Sequence, residues 1–232
     1  MWEHVCGEAA GRPASIRMRY PRANLEALRR EVAAYVASLD DLYGHFCDST
    51  LGFKANCQMV VQAQVHSARA LPPGTDPDTV GMLIGRGDPN DPSNVLQHQT
   101  TLGEYKRRNA PGGRNHIRAA QLFLVLIYAF WDTGHRAQVA QALGLDDRYS
   151  LKVPLMGDLR LVRDDIIHHR GFVTKKTDTK LELLKQFKEG DEIVLDDPAV
   201  EALVRQVKAV LDSLVVDAGG IDPLYRTIWH VR

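Results

Sequence analysis

The chain has 232 residues, no formal net charge and three cysteines. That length buries a real core within one large domain. The neutral balance excludes a global basic field, so any nucleic-acid partner has to be met by a local patch.

Cys6, Cys47 and Cys57 are widely spaced and form no CxxC pair, so no disulfide framework is expected. They read as reduced, mostly buried thiols of a cytoplasmic protein. The first residues, MWEHVCGEAAGRPASIRMRY, carry early acids and no apolar core, which is not the pattern of a signal peptide. The longest apolar run, LFLVLIYAFW at 122–131, is about half of what a membrane span needs. It reads as a buried core helix, with no membrane partner.

Along the chain, residues 22–47 repeat Leu25, Leu28, Val32, Val36, Leu39, Leu42 and Phe46 in steps of three and four, an amphipathic helix. A second segment, 55–70, reads as a helix stopped by the prolines of LPPGTDP. Residues 72–113 are turn chemistry throughout (PPGTDPD, GRGDPNDPSN, NAPGG) and are predicted to be one long irregular loop. Residues 114–132 are apolar on nearly every face, a central helix, followed by a shorter one stopped near Gly144. Pro154 opens a helix expected to run to about Arg170, with Gly171 as its stop. TKLELLKQFKEG reads as a short helix or an extended piece, and DEIVL as a brief edge strand near 192–195. Aspartates and Pro198 start a final helix carrying Val200, Leu203, Val207 and Leu211. The expected architecture is an all-α helical bundle in one domain over 1–232, with a flexible segment at 1–20.

The segment GDLRLVRDDIIHHRG, 157–171, carries the chemistry. On a helix Arg160, Asp164 and His168 share one stripe, and Asp165 and His169 the next. Arg163 and His168 lie five apart, about 140° round the axis, within reach of a long arginine. Asp164 is positioned to accept from His168 and fix its tautomer. Three readings follow. The plainest is a solvated face of Arg160–Asp164 and Asp165–His169 pairs, each worth a few tenths of a kcal/mol. A metal site is poorly supported, because adjacent histidines lack zinc-helix spacing and no cysteine or acid cluster completes a ligand set; no metal or cofactor is expected. The third is a phosphodiester site, in which arginine stabilises phosphorane charge and histidine moves a proton.

RDDIIH, Arg163 to His168, resembles the R-x4–6-H motif of the HEPN superfamily, where a polar residue follows the arginine. GDLRLVRDDIIHHRG resembles the motif helix of its bacterial, RiboL-PSP-like families. LVLIYAFWDTGHRAQVAQALG before it and FKEGDEIVLDDPAVEALV after it resemble their flanking segments. The resemblance covers about residues 115–217, plus the helix at 22–47. It implies a helical bundle that dimerises with two motif helices face to face. It further implies a metal-independent endoribonuclease, a toxin or phage-defence effector with an antitoxin protein as a further partner. His168 would act as general base or acid, Arg163 would hold the scissile phosphate, and Asp164 would orient His168. The expected products are a 2′,3′-cyclic phosphate and a 5′-OH. Asp164 stands where asparagine is commoner, and His169 offers a second permitted spacing; His169, Arg160 and Arg170 are accessory candidates.

The chemistry itself favours a homodimer. One helix offers one arginine and one histidine, while acid–base cleavage needs two proton-transfer groups. A two-fold axis would supply both and double the arginines at one cleft. YKRRNAPGGRNHIR adds Lys106, Arg107, Arg108, Arg114 and Arg118 against no acid, a candidate RNA-backbone contact. Trp131, Tyr225 and Trp229 could stack on bases, though buried core is the better reading for Trp131. Besides the ribonuclease, two readings stay open: a non-catalytic HEPN-like module binding RNA, a nucleotide or a protein, and a plain helical scaffold.

Overall fold

The structure, a computed structural model, describes residues 20 and 22–219, apart from 68, 69, 87, 89, 90, 92 and 94. The expectations for the segment 1–19 and for Cys6, Tyr225 and Trp229 lie outside the described residues; Cys47 and Cys57 are half-buried rather than buried. The described chain is mainly helical, and no helix in it is long and apolar enough to cross a membrane.

The first two expected helices are one. α1 runs unbroken over Leu25–Ser67. Gly52 sits where the sequence suggested a break, but a Cβ there would meet nothing. A single exposed helical glycine costs only about 1 kcal/mol, too little to end a helix held elsewhere. The first half of α1 buries Leu28, Val32, Tyr35, Val36, Leu39 and Phe46, while its second half exposes Leu51, Met59, Val61 and Val65.

The predicted irregular loop is also structured. Beyond a 3-10 turn at Pro77–Thr79, β1 (Gly81–Arg86) pairs antiparallel with β2 (Val95–Thr101), and α2 follows at Leu102–Asn109. Thr101 caps α2 by accepting from the Glu104 N–H at 3.2 Å. The hairpin is the sheet of this fold; at 192–195 there is no strand, only an isolated bridge between Phe172 and Glu192.

α3 (Arg114–Phe130) packs against α1, α2 and α5. Its core face is Ala120, Phe123, Leu124, Ile127 and Tyr128, but Leu122 and Phe130 remain exposed, so it is not enclosed on every side. It continues through a π turn at Trp131–His135 into α4 (Arg136–Ala142), which ends at Gly144 with φ 73°. Trp131 is core: its ring lies 5.5 Å from that of Tyr35, whose hydroxyl donates to the Ile127 carbonyl at 2.9 Å. His135 meets Glu31 at 2.8 Å, a partner 104 residues away in the chain.

α5 (Pro154–His168) has Pro154 in its first turn, where a missing N–H costs nothing. α6 (Lys175–Lys180) precedes TKLELLKQF's leucines rather than containing them. The chain then runs through bends and turns and anchors itself by burying Leu181, Leu184 and Phe187. Its helix is pre-empted by Asp158. That buried carboxylate accepts the amides of Glu182 at 3.0 Å, Leu183 at 2.7 Å and Leu184 at 2.8 Å. α7 (Asp197–Asp217) is capped by Asp196, which accepts from Ala199 N–H at 2.9 Å. It packs on α1, where Lys208 reaches Asp40. Its first turn is clipped by Asp197, 2.8 Å from both Lys54 and the buried His116 of α3.

Asp158→Ala would strand three amides in the interior and is expected to cost about 2–4 kcal/mol, measured by urea unfolding. Loss below about 0.5 kcal/mol, the range of ordinary surface changes, would contradict the anchoring role.

Candidate functional site

α5 divides its polar residues between two environments. Leu155, Met156, Leu159, Leu161 and Val162 are buried, and so are two carboxylates, Asp158 and Asp165. Arg160, Ile167 and His168 face outward, with Arg163 and Asp164 half-buried between.

The helix stops two residues earlier than its sequence suggests, because His169 N–H and Gly171 N–H both close on the Asp165 carbonyl, at 2.9 and 3.1 Å. That geometry puts Arg170 at φ 59° and Gly171 at φ 84°, both left-handed. Gly171 is required there for a second reason. A Cβ would lie 2.5 Å from Nε2 of Gln121. Past the turn, Val173 N–H donates to Asp191, Gly190 N–H to Val173 and Ile193 N–H to Gly171, at 2.7–2.9 Å. Gln121 Nε2 donates to the Ile193 carbonyl at 3.0 Å and closes the brace from α3. His168, His169 and Arg170 therefore sit at an exposed corner whose backbone is fixed.

Asp165 has a structural role. Its carboxylate, 2% exposed, accepts from Thr174 N–H at 2.9 Å and Thr174 Oγ1 at 3.0 Å. The expected Asp165–His169 side-chain pair does not form, since the carboxylate points inward. The expected Arg160–Asp164 pair is replaced as well. Asp164 Oδ1 accepts from Arg163 Nη1 at 2.9 Å, and Arg160 lines a neighbouring cleft. Asp164 is thus engaged with the arginine rather than orienting His168. Neither imidazole of the corner has a hydrogen-bond partner among the described residues.

Arg163 lies over the Tyr128 ring, its Cζ 5.9 Å from the centroid. Burial pushes the Tyr128 hydroxyl above its ordinary range; Asp132 adds to this, while Arg136 and Arg160 pull it back. The ring under Arg163 is therefore neutral and offers a flat face. The Arg163–Asp164 pair is about one-third exposed on each side, and such pairs contribute only ~0–1 kcal/mol. A phosphate could exchange for the carboxylate at little cost.

The basic stretch is not free of acids, as its sequence suggested. Lys106 bonds Asp78, Arg107 bonds Glu104 at 2.6 Å, and Arg114 bonds Glu192. Arg108 lies 5.0 Å over the Tyr105 ring and contacts His98 at 2.6 Å, and Arg118 bonds Gln121. Two acids come from far along the chain, which local sequence cannot reveal. The fold does bring part of the set to the motif. Arg114 reaches it through Glu192, which bridges Phe172, and Arg118 through Gln121, which backs Gly171. Lys106, Arg107 and Arg108 belong to α2 and its hairpin contacts instead. Among the described residues no three His, Cys, Asp or Glu side chains cluster closely enough to hold a metal ion.

Sequence reasoning missed Gln121, Thr174 and Tyr128, which position the corner through contacts between elements. No local spacing signals them.

Gly171→Ala is expected to lose about 2 kcal/mol through φ strain and the Gln121 clash. Thermal unfolding measures this, with faster amide exchange at residues 169–173; unchanged stability would show that the brace yields easily. No family model, curated protein or solved structure matches the chain, so what the corner can do rests on its own geometry.

Proposed function

We propose that this protein is a metal-independent endoribonuclease of HEPN type, acting as a homodimer across two copies of the Arg163–His168 corner. The observation that carries the reading is the sorting along α5. Asp158 and Asp165 are buried and satisfied, whereas His168 is exposed and Arg163 half-buried but reachable within the last two turns. Ile167, Phe172 and Val194 are exposed beside them. That apolar surface suits a two-fold contact, and Arg114 and Arg118 reach toward it through Glu192 and Gln121.

In this mechanism His168 of one subunit takes the proton of a ribose 2′-OH as the 2′-oxygen attacks phosphorus. The P–O5′ bond breaks, and a second His168 protonates the departing 5′-oxygen. Arg163 leaves Asp164 for the phosphate, where its planar fork matches the equatorial oxygens. The products are a 2′,3′-cyclic phosphate and a 5′-OH, with no metal or cofactor taking part.

A second reading is a non-catalytic HEPN-like module that holds RNA or a partner protein. It is favoured by one observation: Asp164 neutralises Arg163 and does not orient His168.

The two separate in a cleavage assay with EDTA present, on a mixed RNA pool with product ends mapped. The ribonuclease predicts cyclic-phosphate ends and a loss of about 100-fold or more in both Arg163→Ala and His168→Ala. Asp164→Asn, which frees the arginine, should retain or raise the rate. RNA retention without turnover by the folded wild type would establish the module instead.

A further inference from the structure

Beside the motif lies a cleft of about 780 Å³, the size of pockets that take small ligands. Its walls come from the end of α3, the π turn, the segment 149–153, the first turns of α5 and the chain just after α6. Its charges are unevenly matched. Asp132 is held by Arg136 at 3.0 Å, and Asp158 turns inward onto three amides. Lys152, Arg160 and Lys180 are exposed at the opening and make no ion pair among the described residues; Glu182 is the remaining acid. Three unpaired cations against one unpaired carboxylate around one concavity, on a chain of no net charge, are placed to hold an anion.

The cleft also offers flat groups. Arg136 is immobilised by Asp132 and by the carbonyls of Arg148, at 3.1 Å, and Leu151, at 3.3 Å. Its guanidinium lies 5.2 Å from the centroid of the exposed Tyr149 ring, which also carries the Arg148 guanidinium at 4.8 Å and accepts from it through the hydroxyl at 2.6 Å. Arginine and tyrosine planes of this kind accept stacked bases. A π turn forms part of the same wall, and such turns recur at functional sites because the extra residue re-aims side chains.

From this we infer that the cleft is a nucleoside-phosphate site: Lys152, Arg160 and Lys180 take the phosphate, and the Tyr149–Arg136 face takes the base. It does not depend on cleavage at Arg163 and His168. The ligand chemistry is shared by a free nucleotide and by one residue of a single-stranded RNA, which separate arms of one experiment distinguish.

AMP, UMP and inorganic phosphate are titrated into the full chain, followed by amide chemical shifts. A short fluorescein-labelled single-stranded RNA is followed by polarisation. The variants are Arg160→Glu, Lys152→Glu and Tyr149→Ala, with Lys185→Glu as the control outside the cleft; all four positions are exposed, and thermal unfolding verifies their folds. The expected result is shifts at residues 149–160 with AMP or UMP, and affinity about tenfold lower in each cleft variant but not in the control. Tyr149→Ala should weaken the nucleotide and leave phosphate unchanged. If the mononucleotides do not bind but the RNA does, with the same pattern of losses, the site takes a strand residue. Binding that is absent for both, indifferent to the cleft variants, or equal for phosphate and AMP overturns the inference. Cleavage is scored separately in His168→Ala, so failure of the ribonuclease reading and failure of this one are distinguishable.

Discussion

The fold around the motif depends on two buried carboxylates of α5. Asp158 and Asp165 lie two helical turns apart on the inward side, and each collects backbone amides from chain that follows the helix. Removing an ionised carboxylate from water is expensive unless its oxygens are filled, and both are filled by N–H or O–H donors. The consequence is directional. A segment that satisfies Asp165 must begin at Thr174, and one that satisfies Asp158 must pass residues 182–184. The path from 171 to 184 is thereby set along α5, and the brace to 190–193 sets the way to α7.

A neutral chain has to make a cationic site by arrangement rather than by excess. Most arginines and lysines of α2 and early α3 are spoken for by Asp78, Glu104 and Glu192. Beside α5 stand cations with no ion pair among the described residues, Lys152, Arg160 and Lys180 on one side, Arg170 and the two histidines at its end, while others, such as Arg30, Lys176 and Lys185, lie elsewhere on the surface. Arg163 stands between the groups near α5, over Tyr128, which also lines the cleft. Unpaired cations close together at one helix give a local field that the zero net charge conceals.

What could be read from the sequence follows from how local its causes are. Pro154 at the start of α5, Gly144 after α4 and the Asp196 cap of α7 act within one turn, so their signatures survive in the string. The hairpin does not show, because VLQHQTT is exposed nearly throughout and the run MLI in GMLIGR hides the one side, Met82 and Ile84, that is half-buried. The α6 region misleads for a different reason. Its leucine spacing suits a helix, but Thr174 caps an earlier turn and Asp158 takes the amides a later helix would need. At the site, Arg163 and His168 are legible because their residue types and spacing stand in the string itself. Asp165 is not, since His169 four residues on looks like its partner and Thr174 is found only by folding the chain back.

The same contrast explains why structural and reactive groups can coexist on one short helix. Burying Asp158 and Asp165 removes negative charge from the solvent face, which would otherwise repel a phosphate at Arg163 and Arg160. On α5 Asp164 is the acid left outside, with Glu182 across the cleft, and Asp164 is held by a pair weak enough to open. The stabilising carboxylates and the anion-facing cations are therefore one arrangement: the helix turns its acids inward to secure the fold, and that leaves its bases outward for a ligand.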